Sequence, residues 1–533
     1  MIKEGVPDKC DALVIGGGAA GLISALTVKA SRPEWSVCLL EQSGSIGGAS
    51  AYSGGVIWLP GHRFRDDPSG DTELARRYLK NAYPEIDEVC LDGFLEDAPR
   101  VLEFMIAKGC KMDAVPRYPD YYMDIEGSSS GRSISVLVYT GSKRSRSLIR
   151  KLPMWYLPFT IRELTDWGPH RILHWRQFLI AKRMLRRQLT MGRALIGYLL
   201  DACLNEGVDI VLGCKTERLL LRETAVLGAV VDGNQLTSPN VIMACGGFSH
   251  NPELMRRLNT ARQLLSVAPE ECDDGGALSL ALDAGVEIGN PHCWWMPVIK
   301  LYGEDEEKPG PDLWSLFPTV YDRARAGGIM VNSQGRRFAN EAANYNTLGG
   351  IMAVDEDSSL DQVWMICGEY YIKHYPLGIG STFRSSKRYL NESRSIEELA
   401  SRIEVPADNL KETIDHWNDM AAREKDEDFH RGESAYDRFT GDRFREGHPS
   451  IEKIEPPFQA LRIHAGCLGT KMGPMTDSFG RVRLENGDTV SGLYAVGTAQ
   501  ASPFGNAYPG AGGSLAQCVV FGFRAGLHAA GVS

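Results

Sequence analysis

The sequence lacks the features that mark a membrane-spanning, metal-binding or nucleic-acid-binding protein. No apolar run reaches the ~18–20 residues that a helix needs to cross a bilayer. Twelve cysteines are scattered through the chain without a C-x-x-C pair or a spacing typical of metal ligands. We therefore expect free, mostly buried thiols in a reducing compartment. The net charge of −10 argues against a nucleic acid as the main partner.

We also expect no signal peptide, because residues 1–10 lead directly into an apolar strand. The protein is therefore predicted to be intracellular and cytoplasmic. Its 533 residues are too many for one hydrophobic core and enough for two domains.

A strand, a glycine turn and a helical pattern follow one another near the start of the chain. The apolar run Ala12–Ile15 predicts a buried strand, and Gly16, Gly18 and Gly21 fit the pattern G-x-G-x-x-G. Such glycines let the backbone approach a pyrophosphate, whose charge a helix N-terminus stabilises. Glu41 ends the next strand about 20 residues further on, where a carboxylate accepts hydrogen bonds from ribose hydroxyls. The predicted dinucleotide-binding residues are Gly16, Gly18, Ala19, Ala20, Gly21, Glu41 and Gln42.

A second glycine-rich loop follows at Ser43–Gly61. Its glycines alternate with serines, so it offers N–H groups and hydroxyls to a phosphate and a planar ring. A nicotinamide enzyme does not need this loop, whereas flavoproteins of the two-dinucleotide-binding class typically carry it. The loop therefore favours FAD over NAD, with predicted contacts from Gly47, Gly48, Ala49, Ser50, Ser53, Gly54 and Gly55.

The last segment of the chain contains another strand, glycine turn and helix. Leu493–Val496 predicts a strand that would lie beside the first one, and a long helix is predicted from about Ser514. A helix N-terminus with unencumbered N–H groups suits the pyrimidine ring of a flavin. The predicted flavin-binding residues here are Gly497, Gly512, Ser514 and Leu515.

These patterns predict an α/β fold, in which a Rossmann-like FAD-binding domain carries an inserted α+β catalytic domain. Residues 1–290 and 461–533 are assigned to the FAD-binding domain, because the apolar strand within Asn240–Gly247 returns the chain to it. The composition changes from about residue 290, so residues 291–460 are assigned to the catalytic, substrate-binding domain.

The segment Lys151–Gly192 is rich in aromatic and basic residues, and prolines break it into short pieces. One hypothesis is a helix that contacts a membrane surface weakly and collects a lipophilic substrate. The alternative, which we favour, is a lid or partner-facing helix pair over the active site.

Five stretches of sequence carry a resemblance to a known family. They are PDYY with GSSSGRS (Pro119–Ser133), GRRFANEAANY (Gly335–Tyr345), DEDFHRGESAYDRF (Asp426–Phe439), LGTKMG (Leu468–Gly473) and YPGAG (Tyr508–Gly512). With the glycine motif they make the chain resemble the succinate dehydrogenase and fumarate reductase flavoproteins, and within them the 3-ketosteroid 1-dehydrogenases. That family removes two hydrogens from adjacent carbons beside a ring ketone.

The resemblance implies a role for each of several residues. Tyr508 would donate a hydrogen bond to the ketone, and the N–H of Gly512 would be the second donor, as in an oxyanion hole. Tyr345 would take the α-proton, and the hydride would pass from the β-carbon to the flavin. A free tyrosine titrates near ~10, so this base needs a proton relay or a lowered pKa. Either Tyr121 or Tyr122 would be the helper.

The sequence departs from the family pattern near these tyrosines. Met472 stands where a glycine is more usual, and Asn344 stands where a proline often precedes the tyrosine. Asn506 and Ala507 alter the approach to Tyr508. These changes would reshape the substrate pocket without removing the chemistry. His464, just before LGTKMG, is interpreted as structural.

The expected partners are a small hydrophobic, steroid-like ketone and an external electron acceptor. The main alternative is a fumarate-reductase-like enzyme that reduces an activated alkene. A dicarboxylate needs cationic clamps, and no arginine lies between Arg483 and Arg524. A flavin-binding protein without activity and a nicotinamide-dependent dehydrogenase are weaker alternatives. The ring system, the position of desaturation, the acceptor and the oligomeric state stay open.

Overall fold

A computed structural model describes most of the chain. The described residues are 2–151, 158–169, 171, 176–258, 264–267, 272–290, 293–300, 317–318, 320–353, 358–375 and 391–532.

The regular elements are numbered in chain order. The strands are β1 (Ala12–Ile15), β2 (Val37–Glu41), β3 (Val56–Trp58), β4 (Met112–Ala114), β5 (Ser133–Val136), β6 (Asp209–Leu212), β7 (Thr216–Arg222), β8 (Ala225–Val231), β9 (Asn234–Thr237), β10 (Val241–Met243), β11 (Leu265–Ser266), β12 (Ile288–Gly289), β13 (Trp294–Trp295), β14 (Val298–Lys300), β15 (Phe317–Pro318), β16 (Gly328–Val331), β17 (Val363–Cys367), β18 (Asn391–Ser393), β19 (Phe458–Cys467), β20 (Gly469–Thr470), β21 (Gly473–Pro474), β22 (Arg481–Arg483) and β23 (Thr489–Ala495). The helices are α1 (Ala19–Ser31), α2 (Pro68–Ala82), α3 (Glu88–Ala107), α4 (Lys143–Leu148), α5 (Ile161–Trp167), α6 (Gln177–Leu185), α7 (Met191–Glu206), α8 (Pro252–Leu258), α9 (Gly276–Asp283), α10 (Tyr345–Ala353), α11 (Glu369–His374), α12 (Ile396–Arg402), α13 (Ala407–Ala421), α14 (Ala435–Thr440) and α15 (Gly513–Ala529).

A largely parallel sheet carries the glycine turn. Its strand order is β6-β2-β1-β10-β23-β8-β7, with β22 beside β23 and β9 beside β8. Strands β6, β2, β1, β10 and β23 run parallel. The four residues of β1 are fully buried, as expected of a strand covered on both faces. The predicted strand, turn and helix at the start of the chain are therefore confirmed.

The predicted place of the last strand is wrong. β23 pairs with β10, at Leu493 and Val241, and not with β1. A strand has two hydrogen-bonding edges, and β2 and β10 already occupy both edges of β1. Strand β10, which lies in the apolar segment Asn240–Gly247, is thus placed between β1 and β23. The long C-terminal helix is present as α15, one residue earlier than expected.

A second sheet contains most of the strands between β11 and β19. Its order is β15-β14-β19-β17-β16, and β11 and β18 also pair with β19. Helices α12 and α13 bury Leu399 and Trp417 in an apolar cluster with residues of β16 and β17. The predicted domain boundary at 460 falls inside β19, and β11 lies before the boundary at 290. The domain limits stay a prediction.

Helices α2 and α3 are separate elements. Pro84 disfavours a helical conformation at Tyr83, the residue that follows the end of α2. Asp87 then caps α3 by accepting a hydrogen bond from the Cys90 N–H, at 2.8 Å.

The aromatic and basic segment 151–192 contains two short described helices, α5 and α6. Ile180 of α6 is buried against Phe159, whereas Phe178 is 95% exposed and Leu185 is 86% exposed. Trp155, Tyr156 and Trp175 lie outside the described residues. Among the helices that the structure describes, none is long and apolar enough to span a membrane. Both hypotheses for this segment, the contact with a membrane surface and the lid or partner-facing helix pair, stay predictions.

A buried arginine connects α2 to the loop before β5. Arg132 has no exposed surface and pairs with Asp71 of α2, at 3.0 Å, and with Asp120. Asp120 also accepts hydrogen bonds from the Trp58 indole, at 2.7 Å, and the Ser129 N–H, at 2.9 Å. These bonds fix the irregular segment that holds Asp120 and the residues after it.

Replacing Arg132 with methionine is expected to destabilise the protein by about 3–5 kcal/mol, because buried Asp120 loses its cation and Asp71 keeps only Arg65. Thermal unfolding of Arg132→Met and Arg63→Met would measure the effect. Arg63 is a matched control, since it pairs with Glu103 on the surface and such pairs contribute about 0–1 kcal/mol. Equal unfolding midpoints for the two variants would contradict this account.

Candidate active site

The three motif glycines have different surroundings. A Cβ on Gly16 would lie 2.4 Å from the carbonyl oxygen of Ala244, and Gly16 has a φ of +112°. A Cβ on Gly21 would lie 1.9 Å from the carbonyl oxygen of Gly16. A Cβ on Gly18 would meet nothing closer than the Ser50 hydroxyl, at 3.6 Å. Gly16 and Gly21 are thus required by chain packing, while Gly18 leaves space for a ligand.

A cleft of about 870 Å³, open to solvent, lies over this turn. The predicted cofactor residues that line it are Gly16, Gly18, Ala19, Ala20, Glu41, Gln42, Gly48, Ala49 and Ser50. Gly21, Gly47, Ser53, Gly54, Gly55, Gly497, Gly512, Ser514 and Leu515 do not line it.

The carboxylate of Glu41 is fixed at the end of β2. One oxygen accepts a hydrogen bond from the Gly17 N–H, at 2.7 Å, and the other from the Ser43 N–H, at 2.9 Å. A carboxylate oxygen has room for a further donor, so this geometry is compatible with the predicted ribose contact.

The second glycine loop lies against the first turn. Gly47 donates its N–H to the carbonyl of Gly17, at 3.0 Å, and Ser50 accepts from the Ala19 N–H, at 3.2 Å. Further along, Gly55 approaches Met191 at the start of α7 so closely that a Cβ would lie 2.3 Å from its carbonyl carbon. Gly55 of this loop therefore packs on α7, while Gly48–Ser50 line the cleft.

Several lining residues were not predicted. Cys214, Lys215 and Thr216 follow β6, Ala244–Gly246 follow β10, and Asp273 precedes α9. Their position after parallel strands could have indicated them, since ligands of such sheets bind beyond the carboxyl ends of the strands. Asp273 is 4% exposed and accepts from the Gly247 N–H, at 3.1 Å. Burial raises the pKa of its carboxyl group.

Three of the predicted catalytic tyrosines meet in one buried cluster. The hydroxyl of Tyr121 donates to the hydroxyl of Tyr345, at 2.6 Å. The ring centres of Tyr121 and Tyr508 are 5.0 Å apart, and those of Tyr345 and Tyr508 are 5.6 Å apart. None of the three rings is more than 8% exposed. Residues that are more than 150 positions apart in sequence are thus brought together.

Tyr122 does not join this hydroxyl pair. Its hydroxyl accepts the backbone N–H of Tyr508, at 3.1 Å. The Tyr121 N–H donates to the carbonyl of Pro509, at 3.1 Å, and the Tyr78 hydroxyl donates to the same carbonyl, at 2.6 Å. Tyr121 therefore contacts Tyr345, whereas Tyr122 holds the chain at Tyr508. Which of the two assists a base stays a prediction.

Tyr345 is the first residue of α10, and Asn344 caps this helix. The Asn344 side chain accepts the Thr347 N–H, at 3.0 Å, and donates to the carbonyl of Tyr121, at 3.3 Å. Asparagine is among the preferred residues at a helix cap. The departure from proline at position 344 therefore ties Tyr345 to the Tyr121 segment.

Gly512 lies at the N-terminus of α15 with a φ of +94°. A Cβ there would lie 2.3 Å from the carbonyl oxygen of Val56, so only glycine fits. Its carbonyl accepts the Trp58 N–H, at 3.2 Å. Ser514, two residues further on, has its hydroxyl 3.5 Å from that of Tyr508. Leu515 is buried within α15.

A buried lysine supports the turn before Tyr508. Lys471 of LGTKMG donates to the carbonyls of Gly505 and Ala507, both at 2.8 Å, and lies 4.0 Å from the ring centre of Trp295. The Trp295 ring in turn contacts Tyr508, with centres 4.5 Å apart. Burial lowers the pKa of Lys471 to about 7. Lys471 lies in the LGTKMG stretch, whose pattern did not predict this supporting role.

Burial opposes ionisation of the tyrosine cluster. It raises the pKa of Tyr345 well above its usual value, and the hydrogen bond from Tyr121 acts in the opposite direction. Burial also raises the pKa values of Tyr121 and Tyr508. A base in this cluster therefore needs a nearby group that favours negative charge.

His464 lies on β19 and is half-buried. Burial lowers the pKa of its imidazole to about 4, which keeps the ring neutral. In the part of the chain that the structure describes, no cluster of histidine, cysteine, aspartate or glutamate could hold a metal ion.

Comparisons with known proteins agree with this arrangement. Residues 11–515 match the family described as FAD binding domain. The chain is 31% identical over 548 aligned positions to 4-oxocyclohexanecarboxylate 2-dehydrogenase of Sinomonas cyclohexanicum, with 98% of this chain and 93% of that protein covered. It is 30% identical over 571 positions to a 3-oxosteroid 1-dehydrogenase of Mycobacterium tuberculosis, with 98% of each covered.

One solved structure is similar over the whole chain. The 3-ketosteroid delta1-dehydrogenase from Sterolibacterium denitrificans, in complex with 1,4-androstadiene-3,17-dione, matches with a TM-score of 0.89 and 28% identity. The match covers 99% of this chain and 100% of that one. The predicted fold class, FAD as the cofactor and an oxidoreductase activity are thereby confirmed.

The contrast between Gly18 and Gly21 can be tested with valine at each position. We expect Gly18→Val to fold and to purify with little FAD, because the added side chain enters the cleft without meeting the protein. Gly21→Val should fail to fold stably, because its Cβ would collide with the Gly16 carbonyl. The ratio of flavin to protein absorbance and the melting temperature measure both effects. A yellow, fully loaded Gly18→Val protein would contradict the assignment.

Proposed function

The chain belongs to the family of FAD-binding domains, and from this premise we propose that it desaturates the carbon–carbon bond beside a ring ketone. The favoured reaction is 1,2-desaturation of a 3-ketosteroid or a related polycyclic ketone. The single observation that carries the proposal is the cluster of Tyr121, Tyr345 and Tyr508, which combines a hydrogen-bonded hydroxyl pair with a third hydroxyl nearby.

Two groups are suited to polarise the ketone. The Tyr508 hydroxyl is a neutral donor that interacts with the Tyr345 hydroxyl and, weakly at 3.5 Å, with Ser514, and a substrate ketone could accept its hydrogen bond in place of Ser514. The Gly512 N–H has no acceptor among the described residues and lies at the positive end of α15. Two such donors would stabilise the enolate that forms when the α-proton leaves.

The proposed base is Tyr345. When its hydroxyl is ionised, the 2.6 Å hydrogen bond from Tyr121 stabilises the phenolate. The α C–H bond then breaks, its proton joins the Tyr345 oxygen, and the electron pair forms the enolate on the substrate. Bound FAD supplies the acceptor for the hydride that leaves the β-carbon.

The surroundings of the cluster favour a neutral, apolar substrate. Trp295 and Tyr436 contact Tyr508 and Tyr121 edge to face. Lys471 is close, but its N–H groups are directed to two backbone carbonyls. The relatives act on a steroid ketone and on an oxocyclohexanecarboxylate, so the ketone ring is what they share. An external electron acceptor must reoxidise the flavin.

The alkene-reductase alternative needs a cationic clamp for a carboxylate, and the arginine of α15 is not available as one. Arg524 is buried on α15 and donates to the carbonyl of Gly93, at 2.9 Å, and to Asp97. It is therefore occupied by the protein. A fumarate reductase resembles this chain in fold, with a TM-score of 0.66 and 18% identity.

Phenylalanine substitutions test the roles of the tyrosines. We expect Tyr345→Phe and Tyr508→Phe to retain FAD and to lose kcat by about 10²–10⁴-fold, the range typical of a lost acid–base group or oxyanion donor. Turnover of a 3-ketosteroid under saturating acceptor is the measurement.

Tyr198→Phe is the matched control for these variants. Its hydroxyl donates to the carbonyl of Val138, at 2.8 Å, away from the cluster. It should keep the wild-type kcat. Wild-type turnover by Tyr345→Phe or by Tyr508→Phe would refute the role proposed for that residue.

A further inference from the structure

A buried guanidinium near the tyrosine cluster has donors for which the described part of the chain offers no acceptor. Arg323 is 1% exposed and donates through Nη1 to the carbonyls of Glu341 and Ala343. Its Nε and Nη2 atoms have no hydrogen-bond partner within the described residues. The same holds for the buried hydroxyl of Tyr436. Unsatisfied buried polar atoms are rare in native proteins and call for an explanation.

The two carbonyls that Arg323 holds lie directly before the proposed base. Ala343 precedes Asn344, which caps α10, and Tyr345 is the first residue of that helix. The bond from Nη1 to the Ala343 carbonyl measures 2.5 Å. Arg323 is thus attached to the segment that positions Tyr345.

The charge of Arg323 is also within electrostatic range of two tyrosines, Tyr436 and Tyr121. Its electrostatic neighbours are Tyr436 and Asp437 of α14, Tyr121, and Arg431. Tyr436 in turn contacts the Tyr121 ring edge to face, with centres 5.3 Å apart. The guanidinium opposes the rise that burial imposes on the pKa of Tyr436.

The other charges of this region are largely neutralised by one another. Arg431 donates to Glu341, at 3.1 Å, and Arg337 bridges Glu341 and Asp426, at 2.9 and 2.7 Å. The two positive charges of these arginines are therefore neutralised by the two negative charges of Glu341 and Asp426.

Asp437 is engaged by other donors. It accepts from the Gly432 N–H and the Asn340 amide, both at 2.9 Å. No ion pair between Asp437 and Arg323 occurs in the described parts of the chain. Asp437 is the one acid among the electrostatic neighbours of Arg323 given above, Tyr436, Asp437, Tyr121 and Arg431. The positive charge of Arg323 can therefore stabilise negative charge on the tyrosines.

We propose that Arg323 is a positioning residue for the base, and that its unpaired guanidinium charge stabilises the phenolate of the Tyr345–Tyr121 pair. The proposal rests on the proposed function, because it presupposes that Tyr345 takes the α-proton. It explains why no carboxylate among the described residues pairs with these two donors, since an acid there would neutralise the charge. It also supplies the group that an apolar, buried tyrosine base requires.

The pH dependence of kcat/KM tests the proposal. The base must be ionised, so kcat/KM rises with pH through the pKa of the base. Arg323→Gln keeps an N–H donor for the carbonyls but removes the positive charge, so this rising limb should move to higher pH. A shift of about one pH unit corresponds to an about tenfold lower kcat/KM at a fixed pH below both values. Arg323→Lys keeps the charge and should restore the wild-type limb.

Two further variants control for structure. Arg325→Gln removes a buried neighbour that donates to the Gly441 carbonyl and faces Tyr321 and Tyr375. The rising limb of the pH profile of Arg325→Gln should stay at the wild-type pH. Asp437→Asn removes the opposing charge and should move the limb to lower pH, which keeps the proposal testable if Arg323→Gln does not fold.

The outcomes separate this proposal from the proposed function. If Tyr345→Phe keeps wild-type turnover, both fail together. If Tyr345→Phe loses turnover but Arg323→Gln has the wild-type pH profile, only the role of Arg323 is refuted. An equal shift in Arg325→Gln, or an unmoved limb in Asp437→Asn, would also refute it.

Discussion

The structure depends on the attachment of the segment around Tyr121 to the turn at Tyr508. The Tyr121 N–H binds the Pro509 carbonyl, at 3.1 Å, and the Tyr122 hydroxyl receives the Tyr508 N–H, at 3.1 Å. Both segments are irregular, so neither would hold its side chains without the other. Arg132 fixes the first segment from inside the protein, and Lys471 fixes the second. The geometry of the tyrosine cluster therefore depends on buried basic side chains that hold loops.

Buried charge has two different uses in this protein. Arg132 and Arg524 meet carboxylates, which satisfies their charges and ties distant elements together. Lys471 and Arg323 donate to backbone carbonyls instead, so they hold a chain segment without a carboxylate partner. A carbonyl accepts a hydrogen bond without cancelling the charge of its donor. Both of these cations lie next to the segments that carry Tyr508 and Tyr345.

The sequence predicted what depends on local pattern and missed what depends on tertiary packing. The first strand, the glycine turn and α15 follow from apolar runs and glycine spacing, and they were predicted. The position of β23 was not, because sheet order depends on strands far apart in sequence. Tyr121 and Tyr122 could not be distinguished, since adjacent residues in an irregular loop have no periodicity. Arg323 belongs to no motif, and only its unpaired buried atoms reveal it.

The most direct test of the central claim is anaerobic mixing of the purified yellow protein with a panel of ring ketones, followed by flavin absorbance. The panel would include saturated and 4-ene 3-ketosteroids and 4-oxocyclohexanecarboxylate. The account predicts rapid bleaching with a ketone that has hydrogens on both adjacent ring carbons, fastest with a 3-ketosteroid. No bleaching with any ketone, together with reoxidation of chemically reduced flavin by an activated alkene, would contradict it.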